Sequence, residues 1–209
     1  MNSQDTLQSP TITKRERTAM KDIYKDIHKG NLNGWRPEGL TSARMTHVQD
    51  SGETSLHAMA RAGLLHLLPS KVATHENFSV RDRKGEAVYH VAVKSGYIGL
   101  VPRGLHGEKM LLCPDKDRVP LIVLLAERVQ LHKIEKSAFS QKSLSCVNYD
   151  MSNILIIAAE KNQLHWIPDA MISHDLATEL NIDRRNLLDI VEGDEVQGRR
   201  VHRLVFEKE

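Results

Sequence analysis

The chain has 209 residues, enough for one large or two small domains, and its formal net charge of +2 comes from 29 basic and 27 acidic residues. Hydrophobic residues make up 40% and aromatic residues only 4%, so the core has to be aliphatic, which favours packed helices over an aromatic-rich β-sandwich. The near balance of charge argues against a dedicated nucleic-acid binder, which usually carries a basic excess.

The N-terminal residues 1–18 are polar, contain a Ser-Pro pair and lack the apolar stretch of a secretory signal, so we predict that they are disordered. The longest apolar run, Val119 to Ala126, has eight residues, whereas roughly 20 are needed to span a bilayer. Two cysteines, Cys113 and Cys146, are too few for a disulfide framework. We therefore expect a protein with reduced thiols and no membrane segment, cytoplasmic or, if it is an effector, delivered into a host cell.

From residue 19 onward the sequence repeats every 33 residues, and no insertion interrupts this period over about 165 residues. The units start near residues 19, 52, 85, 118 and 151, with a partial unit from 184. Positions that are one repeat length apart are called a column below. The clearest columns are Leu56, Tyr89, Ile122 and Leu155; Ala60, Val93, Ala126 and Ala159; Gly63, Gly96, Val129 and Asn162; and Pro69, Pro102, Glu135 and Pro168.

The spacing of the apolar columns predicts two short helices in each unit, with the glycine column between them. Gly30, Gly63 and Gly96 would then follow the first helix, where the backbone often needs a positive φ, and Asn162 also suits that conformation. Val129 does not, because a β-branched side chain is disfavoured there. The unit that starts at 118 is therefore predicted to have a turn that is distorted or that lacks a left-handed residue.

Two apolar segments, 119–126 and 153–160, look locally like buried strands, but their columns are those of the first helix. We therefore predict that both are helices, buried on nearly all sides. The proline column predicts that the second helix is split into one turn before the proline and a short helix after it. Polar residues at 81–85 and 115–118 predict hairpin-like turns, called fingers below, between consecutive units.

The repeat length and the segment Thr54-Ser55-Leu56-His57 resemble the ankyrin-repeat family. The motif weakens at Ala87 to His90 and is lost at 120–123 and 153–156, and the proline column departs from the family consensus. The resemblance implies an all-α fold, an ankyrin-repeat α-solenoid of stacked helix-turn-helix units with hairpin-like finger loops over residues 19–191. It also implies that His57 and His90 form hydrogen bonds between adjacent loops, as histidines of this motif do in the family.

The end units of a stack have to be atypical, because one of their faces has no neighbour to cover it. The segment Lys21 to Trp35 has the alternation of apolar residues and lysines expected of an N-terminal cap. Residues 192–209 are predicted to form a C-terminal cap or tail that closes the stack with a helix. The alternation in Val201 to Glu207 suggests that a short strand or an extended tail follows.

No pattern in the chain indicates an enzyme. The 11 histidines are never closer than nine residues apart, and no Walker loop, nucleotide-binding glycine pattern, Gly-x-Ser-x-Gly or paired-cysteine motif is present. We therefore predict no catalytic residues, no cofactor and no metal. Cys113 and Cys146 share one column, and residues of a column are one packing layer apart, too far for a disulfide bond.

The resemblance implies that partners bind the concave side, formed by finger tips and the exposed face of the first helices. These positions carry seven basic and seven acidic residues, a mixture that favours a protein partner over a nucleic acid, and Tyr149 is a candidate aromatic anchor. We expect a monomeric adaptor or effector, although a charged face can also be merely solvated. The alternative is polyanion binding through the basic segments Thr13–Arg17 and Arg199–Arg203. The predicted partner-binding residues are Arg61, Arg83, Lys84, Glu86, Lys94, Lys116, Asp117, Glu127, Arg128, Tyr149, Asp150 and Lys161.

Overall fold

The structure is a computed structural model that describes residues 23–27, 29 and 40–207. Within these ranges the regular secondary structure is helical, and the only β pairings are isolated antiparallel bridges. The described part of the chain is therefore all-α, as predicted. The segment 1–18, Gly30 and most of the predicted N-terminal cap lie outside the described residues.

The helices are short, and many are a single turn. After a helical stretch at 23–27, the α-helices are α1 Ser42–Thr46, α2 Ser55–Ala62, α3 His75–Phe78, α4 Val88–Lys94, α5 Glu108–Leu111, α6 Leu121–Glu127, α7 Gln141–Leu144, α8 Ile154–Glu160, α9 His174–Thr178, α10 Leu187–Val191 and α11 Glu195–Phe206. Turns of 3-10 helix lie between them at Leu65–Leu67, Ile98–Leu100, Arg103–Leu105, Leu131–Lys133, Lys136–Ala138, Leu164–Trp166 and Asp169–Met171.

The unit that starts at Gly52 shows the course that later units repeat. Its first helix, α2, begins after Thr54, whose hydroxyl oxygen accepts the His57 N–H, and ends at Gly63. A 3-10 turn precedes Pro69 and the short helix α3 follows it. The first helices α4, α6 and α8 recur at intervals of one repeat length, which confirms the predicted succession of a helix, a turn and a split second helix.

The two strand-like segments are helices, as their columns predict. In α6 the residues Leu121, Ile122, Val123, Leu125 and Ala126 are buried, and in α8 all residues before Glu160 are buried. Each of these helices contacts the first helix before it and the one after it, α4 with α6, α6 with α8 and α8 with α10. A helix covered on both sides needs no polar face, so the 3.6-residue periodicity is weak in these segments.

The end of each first helix has the same backbone geometry whichever residue occupies it. Gly63, Gly96, Val129 and Asn162 all have positive φ, between 53° and 80°. In each unit the residue after this position donates its N–H to a carbonyl five residues earlier, as Gln130 does to Leu125 at 2.9 Å, and this bond requires a left-handed residue. The prediction that Val129 lacks this conformation is therefore wrong, because the repeated hydrogen bonds override the preference of its side chain.

We expect Val129→Gly to raise the free energy of unfolding by about 1 kcal/mol, because glycine removes the strain of a β-branched residue at φ 56°. Val129 is 48% exposed, so little packing is lost. The reciprocal variant, Gly96→Val, should lower it by about 1–2 kcal/mol, although a Cβ there meets no atom within 4 Å. Urea unfolding followed by circular dichroism measures the free energy of unfolding of both variants. An equal loss of this free energy in the two variants would show that Val129 is not strained at its positive φ.

The break in the second helix does not depend on proline. Pro102 and Pro168 stand between a 3-10 turn and the following residues with φ −53° and −61°. Glu135 occupies the same column with φ −65°, and the turns Leu131–Lys133 and Lys136–Ala138 flank it in the same way. The repeat therefore dictates the extended residue at this position, and proline is one residue that suits it.

The C-terminal segment is helical to Phe206, so the predicted strand or extended tail after residue 200 is wrong. Val201 is fully buried, and Leu204 and Val205 pack against the core, a spacing of three and four residues that belongs to a helix. Arg200 fixes α11 against the preceding unit by donating to the carbonyls of Leu164 and Ile167 at 3.0 and 2.9 Å. Helix α11 contacts α9 and α10, and thereby covers the last unit.

Candidate partner-binding surface

Four of the five fingers are each organised by one side-chain oxygen. Asp82 Oδ1 accepts the N–H groups of Lys84 and Glu86 at 2.8 and 2.9 Å. This column was not among the predicted features, although an Asp or Asn at the same place in four successive fingers is a turn signal visible in the sequence. The same pair of bonds, to the second and fourth residues onward, recurs at Asp115, Asn148 and Asn181.

We expect Asp82→Ala to lower the free energy of unfolding by about 1–2 kcal/mol, because two finger N–H groups lose their acceptor. The matched variant Asp82→Asn keeps an oxygen where Asn148 and Asn181 have one, and it should change this energy by less than about 0.5 kcal/mol. Urea unfolding of the whole chain gives both values. Equal destabilisation by Ala and Asn would show that the shared oxygen does not hold the finger.

The first three fingers touch in succession, and a backbone bond from the Ile182 N–H to the Asp150 carbonyl joins the last two. The Arg83 N–H donates to the Gly52 carbonyl at 2.9 Å, and a Cβ on Gly52 would overlap the Arg83 side chain. A Cβ on Gly85 would lie 2.8 Å from Cβ of Lys116 in the next finger. We call the tip residues 50–51, 83–84, 116–117, 149–150 and 182–183 the finger row.

His57 ties the first helix of its unit to the following finger, as the resemblance implies. Its Nδ1 lies 2.7 Å from the Thr54 hydroxyl and its Nε2 2.9 Å from the Glu86 carbonyl. A carbonyl only accepts, so Nε2 carries the proton and Nδ1 accepts from the hydroxyl. Burial lowers the pKa of His57, which keeps this neutral form.

His90 does not make the equivalent bridge, so the expectation for this residue is wrong. Both of its ring nitrogens are buried and neither has a hydrogen-bond partner in the described part of the chain. Ala87 stands where the preceding unit has Thr54, so no hydroxyl fixes the ring through Nδ1. Burial lowers the pKa of His90 to about 4, and the nearby charges of Asp115, Arg81, Lys94 and Glu86 modify it less.

Two of the predicted partner-binding cations are paired within their own units. Arg61 contacts Glu53 at 2.5 Å, and Lys94 forms the equivalent ion pair with Glu86, which is half-buried. The later units lack an acidic residue in the column of Glu53 and Glu86. In the unit that starts at 151, Glu160 instead pairs with Arg185 of the following unit, at 3.5 Å.

The other predicted residues point to solvent along the finger row and at the ends of the first helices. Arg83 and Lys84 have no ion-pair partner among the described residues, and Lys116 is 3.9 Å from Asp117. The exposed residues of the predicted set are Arg61, Arg83, Lys84, Lys94, Lys116, Asp117, Glu127, Arg128, Tyr149, Asp150 and Lys161. The structure thus places all but Glu86 where a partner could reach them.

Tyr149 is 74% exposed at the tip of its finger. Partial desolvation and then the charges of Asp117, Asp115 and Glu127 raise the pKa of its hydroxyl. Tyr149 thus lies near acidic groups of the preceding unit. Its hydroxyl is neutral and can donate a hydrogen bond to a partner.

Cys113 and Cys146 are free thiols, as expected, and burial raises the pKa of both.

The basic C-terminal segment Arg199–Arg203 already has ion-pair partners within the structure. Arg199 pairs with Glu195 and Arg200 pairs with Asp169. A polyanion would therefore have to compete with existing partners for two of the three arginines.

Residues 23–27, 29 and 40–207 contain no group of three or more His, Cys, Asp or Glu side chains placed to hold a metal ion. None of the helices in these ranges has the length and apolar character required to cross a membrane.

No protein-family model matches the chain, and no curated protein matches it significantly in sequence.

Proposed function

We propose that this chain is an ankyrin-like solenoid, a non-catalytic module of the adaptor or effector type that binds a protein partner on its concave face. The observation that carries the proposal is the finger row, in which backbone bonds join the first finger to the second and the fourth to the fifth, and Gly85 lies against Lys116 of the third. Such a surface is largely formed before binding, so little conformational entropy is lost when a partner docks.

Three repeated features support the solenoid. Besides the turn after each first helix, a left-handed residue recurs in every finger, at Gly52, Gly85, Arg118, Met151 and Arg184. The isolated bridges recur at the same interval, from Val48↔Thr54 to Val147↔Asn153. Each first helix contacts its neighbours in chain order, which is the arrangement expected of units that stack in one dimension.

Charge supports a protein partner over a nucleic acid. The finger and first-helix positions carry seven basic and seven acidic residues, and two of the cations are neutralised by ion pairs within their units. Binding to phosphates needs several uncompensated cations along one surface. Mixed charge of this kind suits complementary charges on a protein surface and adds specificity.

The test is capture of partners from the native source by the full chain and by two charge-reversed variants. Arg83→Glu with Lys84→Glu alters the finger row. Lys136→Glu with Lys142→Glu alters exposed residues in the second half of a unit and changes the net charge by the same amount. We expect a protein captured by the wild type to be retained by the second variant and reduced at least tenfold by the first.

Two results would contradict the proposal. Equal capture by both variants would exclude the finger row as the contact. Retention that disappears with nuclease treatment and with added salt would instead support binding of a nucleic acid.

A further inference from the structure

The finger row changes character from one end to the other. Its tip pairs are Asp50 and Ser51, Arg83 and Lys84, Lys116 and Asp117, Tyr149 and Asp150, and Ile182 and Asp183. Basic side chains occupy both positions of the second tip and one of the third, where Asp117 is the other, and a large apolar side chain stands beside an Asp in the fourth and fifth. A surface with this order recognises a partner in one orientation, because its two halves attract different chemical groups.

The basic half is available for pairing. Arg83 and Lys84 are exposed and form no ion pair with any residue that the structure describes, and the only carboxylate paired with Lys116 is 3.9 Å away. The stem of Arg83 lies over Gly52 of the preceding finger, which holds the side chain along the row. A partner carboxylate can therefore be bound here without displacing an internal partner.

The apolar half carries large side chains that are mostly exposed. Tyr149, Met151 and Ile182 are 74%, 57% and 65% exposed, more than Leu67, Tyr97 and Leu100 at 39%, 41% and 36% and comparable with Leu180 at 56%. The Ile182 N–H donates to the Asp150 carbonyl at 2.9 Å, which brings the last two tips together. A cluster of exposed large apolar side chains on neighbouring turns favours contact with an apolar side chain of a partner.

We propose that the finger row binds a partner segment with two features, a group of acidic residues and a large apolar side chain, held in a fixed order. The acidic residues pair with Arg83, Lys84 and Lys116, and the apolar side chain packs on Tyr149 and Ile182 of the row and on the adjoining Met151. This inference rests on the proposed function and specifies its partner. A polyanion would pair with the basic half only. At the apolar half, Asp150 and Asp183 would repel it.

The spacing of the units fixes the separation of the two features. Neighbouring helices pack about 8–10 Å apart, so the tips at 83–84 and at 149–150, two units apart, are separated by about 16–20 Å. An extended chain advances about 3.3 Å per residue. The acidic group and the apolar side chain are therefore expected about five or six residues apart in an extended segment.

Selection of displayed peptides tests this chemistry with the full-length protein. A random library of 12-residue peptides is selected against the wild type, and enriched peptides are synthesised for titration. We expect them to combine two or more acidic residues with a large apolar residue about five or six positions away, in one consistent direction. Enrichment of peptides without this combination, or no enrichment at all, would overturn the proposal.

Two variants separate the halves of the surface, with circular dichroism used to confirm the fold of each. Replacing Arg83, Lys84 and Lys116 by Glu should weaken the selected peptides at least tenfold and abolish the salt dependence of their binding. Tyr149→Ser with Ile182→Ser should weaken binding to a similar extent and leave the salt dependence intact. Lys136→Glu with Lys142→Glu serves as the control and should change the affinity by less than twofold.

The outcomes distinguish this inference from the proposed function. If the native partner needs Arg83 and Lys84 but the selected peptides are insensitive to Tyr149→Ser with Ile182→Ser, the two-part chemistry is wrong and the proposed function stands. If neither variant affects the native partner or the peptides, both proposals are wrong.

Discussion

We expect His57→Leu to lower the free energy of unfolding and His90→Leu not to lower it, although the two histidines share a column. His57→Leu should lower it by about 2–4 kcal/mol, because the buried Thr54 hydroxyl and the Glu86 carbonyl each lose a hydrogen-bond partner. His90→Leu should leave it unchanged or raise it by about 1 kcal/mol, because it removes two buried nitrogens that have no described partner. Urea unfolding of the two single variants at pH 7 measures both effects.

The two variants control each other, since each replaces the same residue by a leucine of similar volume in a buried site. Their difference therefore reports the hydrogen bonds rather than the loss of an imidazole. Comparable destabilisation by both would contradict the distinction between a bridging and an unbridged histidine.

Acid is expected to destabilise the protein through His90 before most carboxyl groups titrate. The pKa of His90 is about 4 in the folded chain and about 6.5 in the unfolded chain, so below pH 6.5 the unfolded chain binds more protons. Stability is thus complete above about pH 7 and is lost as the pH falls from about 6.5 towards 4. At about 1.4 kcal/mol per pKa unit the full loss is about 3 kcal/mol, of which about 1 kcal/mol has occurred by pH 5.5.

Urea unfolding at pH 7.0, 6.0 and 5.5 measures this dependence. His90→Leu removes the group and should reduce the loss between pH 7.0 and 5.5 by about 1 kcal/mol, while the lowered pKa of His57 continues to contribute in the same direction. An unchanged slope in the His90 variant would show that the imidazole titrates normally in the folded protein.

The helical character and the course of each unit could be predicted from the sequence because of the constant repeat length. It aligns segments whose own pattern is ambiguous with segments whose pattern is clearly helical. The segment Asn153 to Glu160 looks like a strand alone, but its column is that of α2, and it is helical in the structure. The left-handed turn at Val129 was missed because side-chain preference was weighed against a backbone pattern that every unit repeats. The continuation of the helix after Arg200 was missed because the apolar residues of this short segment fit both an alternating strand pattern and one face of a helix.

The partner-binding surface could be predicted less completely. Columns show which residues reach the finger tips, so Arg83, Lys84 and Tyr149 were identified as exposed. They do not show which charges neutralise one another, and Arg61 and Lys94 are paired with Glu53 and Glu86. They also do not show that Met151 and Ile182 extend the apolar end, because these residues depart from their columns in type.

The most direct test of the account is hydrogen–deuterium exchange of the full chain with and without its captured partner. If the finger row is the binding surface, peptides that contain the tips at 83–84, 116–117, 149–150 and 182–183 should exchange more slowly in the complex. The 3-10 turns at Leu131–Lys133 and Leu164–Trp166 should exchange at unchanged rates. Protection confined to these turns or to α11, with no change at the tips, would contradict the account.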